Sequence, residues 1–185
     1  MEQKRGDELL IGGVGGGGIV TMGNMLAEAV LQEYSHVAWF PCYATMMRGG
    51  ESECCVIFSS EAIPSPIIYR SSTAMVMGAW RIKAFEDRVC PDGLMIIEST
   101  GADQQKIERY DIDIRYIPAM EIATKLGNVR NANLVMLGAY VGIRKPVAPP
   151  LILNEIEKRF GKGESGEVKV IAGKQAFTEG ISLVS

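Results

Sequence analysis

The sequence predicts an α/β fold: a Rossmann-like three-layer sandwich with a mostly parallel sheet and helices on both faces. Two observations lead to this prediction. Short apolar runs alternate with segments of helical periodicity along the chain, which is typical of parallel strands covered by helices. A glycine-rich turn also joins the first apolar run to the first helical segment. With 185 residues, 47% of them hydrophobic, the chain can bury a core of its own, and we expect one domain over residues 1–185.

The first strand and the first helix flank the most informative stretch of the sequence. Leu9–Ile11 form an apolar run, and the apolar positions of residues 19–30 follow the three-four spacing of one helix face. Six glycines occupy the seven positions 12–18 between them. Their spacing satisfies G-x-G-x-x-G after a strand and before a helix, which is the context that gives this pattern its meaning.

The glycine turn is the first candidate binding site. Because it lacks Cβ atoms, another group can approach successive backbone N–H groups at the positive end of the helix. The expected guest is an anionic group or the backbone of a partner chain. The alternative is a turn that only lets the helix pack closely on the sheet. The candidate binding residues are Gly13, Gly15, Gly16, Gly17 and Gly18.

The remaining elements continue the alternation of strands and helices. Further strands are expected at His36–Phe40, Ser52–Ser59, Thr73–Met77, Leu94–Ile97 and Ile112–Ile117. Further helices are expected at 79–89, Ala119–Leu126, Asn131–Ile143, 151–160 and Glu167–Glu179.

Local signals place the ends of several of these elements. Pro41 is expected to end the second strand, and 91–93 (Pro-Asp-Gly) to form a turn. Gly127 suits the position just past a helix end. Within the helix predicted over 79–89, the inward side chains are expected to be Trp80, Ile82, Phe85 and Val89.

A second loop, predicted over Cys42–Glu51, is also a candidate functional segment. Arg48, Gly49 and Gly50 place an arginine fork beside two glycines, which can bind a phosphate or carboxylate in bidentate fashion. An arginine that pins its own loop or a subunit contact explains the same residues equally well. The aromatic and methionine content of 39–47 predicts burial against a partner chain, and a homodimer when the chain is isolated.

Composition excludes several classes of partner. A net charge of −3, a pI near 5.3 and the lack of a basic run argue against nucleic acid. The apolar stretches are too short or too interrupted to cross a membrane. The charged N-terminal segment lacks the apolar core of a signal peptide, which favours a cytoplasmic location. Four cysteines without a C-x-x-C spacing indicate buried reduced thiols rather than cluster ligands.

The sequence shows no catalytic centre and no metal site. A dinucleotide with a free ribose hydroxyl needs an acid at the end of the second strand, where this chain has 39–41 (Trp-Phe-Pro). Glu33 lies at about the expected distance along the chain after the glycines, but it falls in the predicted first helix. The single histidine, His36, is interpreted as structural, and no G-x-S-x-G elbow is present.

Five stretches resemble, in order and over essentially the whole chain, the gamma subunit of 2-oxoacid:ferredoxin oxidoreductases. The similarity is greatest to the 2-oxoglutarate or branched-chain 2-oxoacid type, in which the gamma chain is separate. The W-F-P-x-Y…R-G-G pattern is the most specific part. The stretches are GGVGGGG, WFPCYATMMRGGESECCVIFSS, PDGLMIIES, IPAMEIATKLGN and RNANLVMLGAYVG.

The resemblance implies a multi-subunit enzyme that oxidatively decarboxylates a 2-oxoacid, transfers the acyl group to coenzyme A and passes electrons to ferredoxin. It places thiamine diphosphate mainly in the alpha and beta subunits and iron–sulfur clusters in the beta and delta subunits. This chain would then be an assembly subunit without a catalytic centre or cofactor of its own, and two roles for it stay open: it contacts coenzyme A, or it only assembles the complex.

Two positions depart from the family pattern. The first loop of the family reads G-x-G-G-Q-G, and Gly17 stands where the glutamine would be. An acidic or glutamine residue shortly before R-G-G is replaced by 44–47 (Ala-Thr-Met-Met). Two alternative functions therefore stay open: a stand-alone nucleotide-binding oxidoreductase, and a structural interaction protein of the same fold.

Overall fold

The computed structural model of the chain describes residues 6–43 and 50–185. The strands are β1 (Asp7–Val14), β2 (His36–Tyr43), β3 (Glu51–Ser59), β4 (Ser71–Met77), β5 (Val89–Glu98) and β6 (Asp113–Ile117). The helices are α1 (Ile19–Val30), α2 (Ile82–Glu86), α3 (Ala119–Lys125), α4 (Ala132–Arg144), α5 (Pro149–Phe160) and α6 (Gly166–Ser182). Short 3₁₀ turns lie at Ala79–Arg81, Ala102–Gln104 and Val129–Asn131.

The strands form one sheet in the order β2-β3-β1-β4-β5-β6. β1, β4, β5 and β6 pair in parallel, whereas β3 is antiparallel to both β1 and β2. Five of the six strands therefore point the same way, and the predicted mostly parallel sheet is confirmed.

Helices cover the two faces of the sheet unequally. One face lies in the larger apolar core, to which α1, α3, α4, α5 and α6 contribute side chains. The other face packs against α2 and the Ala102–Gln104 turn in a smaller core. The side chains of Cys54 and Cys55 alternate between these cores along β3, because successive strand residues point to opposite faces. The predicted α/β sandwich is confirmed.

The connections place a crevice between β1 and β4. The chain leaves β1 through α1 toward β2 at one edge of the sheet, and leaves β4 through α2 toward β5 and β6 at the other. In an open α/β sheet, ligands bind outside the carboxyl ends of the strands at such a switch point. The glycine turn lies at this point.

The prediction of one helix over 79–89 is wrong. A 3₁₀ turn and the five-residue α2 replace it, and Val89 already begins β5. Gly78, at φ 153°, precedes this segment, and the chain turns so that Trp80 is 49% exposed rather than inward. Ile82 and Phe85 are buried as predicted.

Two boundary signals were also misleading. Pro41 lies inside β2, which is tolerated because an edge strand leaves one row of N–H groups unpaired. The predicted turn at 91–93 lies within β5, beside a register shift against β4.

Two further boundaries differ from the prediction. Glu33 follows α1 instead of lying in it. The predicted loop 42–51 is shorter than expected, because Cys42 belongs to β2 and Glu51 to β3.

Candidate functional site

The glycine turn runs from the end of β1 into α1. Gly16 and Gly18 have φ values of 91° and 77°, a left-handed conformation that favours glycine. Gly18 is the N-cap residue of α1 and, as a glycine, supplies no side-chain cap to that end. A Cβ on Gly18 would lie 2.4 Å from Nδ2 of Asn133 on α4, which donates a hydrogen bond to the Gly18 carbonyl at 3.3 Å. The turn is therefore shaped for glycine at these two positions.

The turn does not present an unbroken row of free amides, which corrects the sequence-based expectation. The Gly15 N–H donates to the carbonyl of Gly50 at 2.8 Å, and the Gly17 N–H donates to Val14 at 3.0 Å. Neither Gly16 nor Gly18 has an acceptor for its N–H among residues 6–43 and 50–185. The first-turn amides of α1 add to these two, because a helix leaves its first N–H groups without intrahelical partners.

Gly13 has a packing role. It belongs to β1, and a Cβ there would lie 2.8 Å from both Ile19 Cδ1 and the Met77 carbonyl. The alternative of close packing therefore applies to Gly13. Gly17 is more open: a Cβ there would meet only the Val14 carbonyl, at 3.0 Å, among described atoms.

The second candidate loop meets the glycine turn at one point. The Gly15–Gly50 hydrogen bond joins the end of β1 to the residue that precedes β3. The structure therefore brings Gly50 to the site that the glycines form. The other two predicted residues of this loop, Arg48 and Gly49, lie outside the described residues, as do Met46 and Met47.

A cleft of about 480 Å³ opens at the carboxyl ends of β1, β4 and β5. Gly16 and Gly17 form one wall. The opposite side is mostly apolar and includes Met77, Trp80 and Met120. Because Trp80 and Met120 are 49% and 41% exposed, their apolar surface is available to a ligand or a partner chain.

Glu98 supplies a buried carboxylate to the wall of this cleft. It is the last residue of β5 and only 3% exposed. Its Oε2 accepts the Thr100 N–H at 3.1 Å, and its Oε1 accepts the Thr100 hydroxyl at 2.9 Å and the Met120 N–H at 3.3 Å. The carboxylate therefore orders the start of α3, where negative charge is favourable.

Sequence analysis missed Glu98 and misplaced Trp80. The available signal was the position of Glu98 directly after the buried run of β5, because the carboxyl ends of parallel strands gather at one edge of the sheet. For Trp80 the sequence carries no such signal. Its exposure follows from the failure of residues 79–89 to form one helix.

A charge network lies beneath the glycine turn, and consists of Glu51, Glu53, Arg81 and Arg88. Arg81 contacts Glu51 at 2.5 Å and Glu53 at 3.2 Å. Arg88 binds Glu53 in bidentate fashion, at 2.9 and 2.6 Å. The two acids lie on β3 opposite Val14 and Gly12 of β1.

The cysteine thiols of β3 are held in the protonated form. Burial raises the pKa of Cys54 strongly and raises the pKa of Cys55 to about 12. No group of three or more His, Cys, Asp or Glu side chains that could hold a metal ion occurs among the residues that the structure describes. Within the same residues no helix is long and apolar enough to cross a lipid bilayer.

These features define a class: α/β domains with a glycine-rich turn and a cleft at the switch point of a mostly parallel sheet. The model of the pyruvate ferredoxin/flavodoxin oxidoreductase family matches residues 8–183. The chain belongs to this family, and the resemblance derived from its sequence motifs is confirmed.

Relatives and solved structures agree with this assignment. The chain is similar to the ketoisovalerate oxidoreductase subunit VorA of Methanothermobacter thermautotrophicus, with 35% identity over 133 aligned residues. The alignment covers 72% of this chain and 27% of VorA. It therefore spans about a quarter of that relative's length.

Two solved structures share the fold. The gamma subunit of a keto/oxoacid ferredoxin oxidoreductase from Geobacter sulfurreducens has a TM-score of 0.78 at 20% identity, covering 95% of this chain and 96% of that one. The 2-oxoglutarate:ferredoxin oxidoreductase of Magnetococcus marinus, with 2-oxoglutarate, coenzyme A and succinyl-CoA bound, has a TM-score of 0.84 at 21% identity. That match covers 98% of this chain and 31% of the other.

Proposed function

We propose that this chain is the gamma-type subunit of a multi-subunit 2-oxoacid:ferredoxin oxidoreductase. The complex oxidatively decarboxylates a 2-oxoacid, forms its acyl-CoA and delivers the electrons to ferredoxin. Alpha, beta and delta subunits are its partners and hold the thiamine diphosphate and the iron–sulfur clusters. The observation that carries the proposal is the cleft at the switch point of a domain that belongs to this family over residues 8–183.

The cleft suits contact with coenzyme A. The amides of Gly16 and Gly18 lie at the N-terminus of α1, where N–H groups and the helix dipole favour an anion such as a phosphate. The apolar side formed by Met77, Trp80 and Met120 can cover the less polar parts of the same ligand. Coenzyme A is named as a bound ligand in the Magnetococcus marinus complex, which supports the choice of this ligand.

The chain's contribution is binding and assembly. Cys54 and Cys55 point to opposite faces of the sheet and are buried in its two cores, an arrangement unsuited to shared ligation of one cluster. The β2 edge carries Phe40, which is 38% exposed and belongs to the segment 39–47 for which the sequence predicts subunit contact. We propose that this edge docks on the partner subunits and mediates self-association when they are absent.

Purification from the native cell tests this function. A tagged copy of the chain should recover partner subunits that contain thiamine diphosphate and iron–sulfur clusters, and the complex should reduce ferredoxin when a 2-oxoacid and coenzyme A are both present. The tagged chain expressed alone is the control: it should be colourless, inactive and larger than a monomer by size-exclusion chromatography. Recovery without these partners would favour a structural interaction protein, and activity of the isolated chain would favour a stand-alone oxidoreductase.

A further inference from the structure

The charge network contains two arginines that share several contacts. Arg81 and Arg88 both bind the Glu53 carboxylate. Their guanidinium carbons lie 5.2 and 5.1 Å from the centroid of the Phe85 ring. That ring packs on β1 at Gly12, where a Cβ would lie 2.1 Å from the ring. The two arginines therefore support the same acid and the same aromatic ring beneath the strand that leads to the glycine turn.

The two arginines differ in what else they touch. Arg81 also contacts Glu51 at 2.5 Å, and its guanidinium lies 5.3 Å from the centroid of the Trp80 ring in the cleft wall. Arg88 instead donates to the Tyr69 carbonyl at 3.2 Å, away from the cleft. Of the two arginines, only Arg81 joins the glycine-turn side of the cleft to its aromatic side.

The contact with Glu51 bears directly on the glycine turn. Glu51 is paired with Val14 across β1 and β3, and it follows Gly50, whose carbonyl accepts the Gly15 N–H. Arg81 follows Trp80 and ends the 3₁₀ turn that comes after β4. Its side chain therefore reaches across β1 and ties this turn to Glu51 at the start of β3, with the glycine turn between them.

Stability alone is a weak explanation for Arg81. The residue is only 6% exposed, and its Nε is buried without an acceptor among the described residues. Removing a guanidinium from water has a desolvation cost that ion pairs offset only partly, and replacing buried ion pairs by apolar side chains of similar volume is often neutral for stability. A buried arginine with an unpaired Nε is better explained by the geometry that its two ion pairs impose.

We propose that Arg81 is a positioning residue of the cleft, which fixes the spacing between the glycine turn and Trp80 so that both contact one ligand. The ligand in question is coenzyme A, so this role rests on the proposed function. Arg81 acts through Glu51 and Trp80 and does not itself contact the ligand.

Two matched substitutions test this role in the assembled complex. Arg81→Met and Arg88→Met each remove one guanidinium from Glu53 and Phe85, and each leaves an apolar side chain of similar length. Arg81→Met should raise the KM for coenzyme A by about fivefold or more with kcat nearly unchanged, because it removes binding geometry rather than a reacting group. Arg88→Met should leave both constants within about twofold of wild type. Arg81→Lys should restore part of the lost affinity, since it keeps one charge for Glu51.

A second measurement uses the full chain alone and needs no enzyme activity. In ¹⁵N-labelled protein, Arg81→Met should shift the Trp80 indole N–H resonance and the amide resonances of Gly15 and Gly16, whereas Arg88→Met should leave them in place. Equal effects of the two substitutions on these resonances would show that the network only stabilises the fold. Selective shifts with an unchanged KM would overturn the role in coenzyme A binding. A wild-type complex that shows no dependence on coenzyme A would refute the proposed function, and the resonances would then decide whether Arg81 fixes the cleft.

Discussion

Gly16 and Gly127 are glycines in the same backbone conformation at two different places. Their φ values are 91° and 88°, and a Cβ on either would have no described atom within 4 Å. Gly16 lines the cleft, whereas Gly127 ends α3 as the sequence predicts. An alanine would therefore strain both turns equally but would intrude on a ligand only at Gly16.

We expect Gly16→Ala to lower kcat/KM for coenzyme A in the complex by about tenfold, equivalent to ~1.4 kcal/mol of transition-state stabilisation. The added methyl group would occupy space that the ligand needs, and it would disturb the amide that faces the ligand. Steady-state kinetics at limiting coenzyme A measures the effect.

Gly127→Ala is the matched control for this substitution. Both variants should lose about 1 kcal/mol of folding stability, because each places an L-residue at positive φ. Equal kinetic losses in the two variants, or normal turnover with Gly16→Ala, would mean that the glycine turn serves packing alone.

Glu98 offers a test of the cleft wall that does not change the shape of the side chain. In Glu98→Gln, an amide NH₂ must face either the Thr100 N–H or the pair formed by the Thr100 hydroxyl and the Met120 N–H. A buried donor then lacks its acceptor, which should cost about 1–3 kcal/mol of folding stability in urea titrations. Glu121→Gln on the exposed surface of α3 is the control and should leave the free energy of unfolding nearly unchanged, because water screens an exposed ion pair. Similar losses in both variants would contradict the structural role of the Glu98 carboxylate.

α4 and α6 pack closely against each other through glycines. A Cβ on Gly180 of α6 would lie 2.1 Å from the Val135 carbonyl, and a Cβ on Gly138 of α4 would lie 2.1 Å from the Phe177 carbonyl. Both obstacles are backbone atoms, which cannot move without displacing a helix. Because α4 also carries Asn133 against Gly18, the position of this helix pair affects the start of α1.

We expect Gly180→Ala to lower the free energy of unfolding by at least about 3 kcal/mol, because the methyl group would force the two helices apart. Gly173→Ala on the same helix is the control. Among the described atoms its Cβ would meet only methyl groups of Ile156 and Leu134, both at 3.1 Å. The gain in helix propensity should keep the change within about 1 kcal/mol. Chemical denaturation measures both, and equal losses would argue against the backbone contact as the cause.

At the scale of the whole molecule, buried acidic protons make stability sensitive to alkaline pH. Burial raises the pKa of Cys54 above its usual 9.0 and that of Cys55 to about 12. Burial, together with the charge of Asp7 and the hydrogen bond to it, raises the pKa of Tyr140 well above 10.0. The folded chain therefore keeps protons that the unfolded chain loses, and stability falls as pH rises.

The free energy of unfolding should be insensitive to these groups below pH 9 and should fall above it. Each group contributes a slope of about 1.4 kcal/mol per pH unit once its unfolded form ionises: the two cysteines first, and Tyr140 from about pH 10. Urea denaturation from pH 7 to pH 11 measures the slope. Tyr140→Phe should reduce it above pH 10, whereas Tyr110→Phe, at a residue that is 95% exposed, should not. An unchanged slope in Tyr140→Phe would show that this tyrosine ionises in the folded protein.

Local patterns in the sequence are enough to predict the fold class, most of the core and the family. Apolar runs such as Leu94–Ile97 and the helical spacing over 19–30 are local patterns of burial, and they appear in the structure where they were predicted. The glycines of positions 12–18 likewise predict the turn between the first strand and the first helix, because a turn without side chains is a local property of the chain.

The surroundings of that turn, in contrast, depend on how the strands are arranged in the folded chain. Trp80 and Glu98 line the same cleft as Gly16 and Gly17, and Gly50 bonds to Gly15, because β4 and β5 end and β3 begins at the edge of the sheet where β1 ends. Strand order depends on contacts between residues far apart in the chain. The sequence also could not predict which glycine N–H groups lack a protein acceptor, since the N–H of Gly15 donates to the carbonyl of Gly50, a residue distant in the chain. Sequence periodicity reports which side of an element is buried, but not which other element covers it, so the partners of Arg81 could be known only from the folded chain.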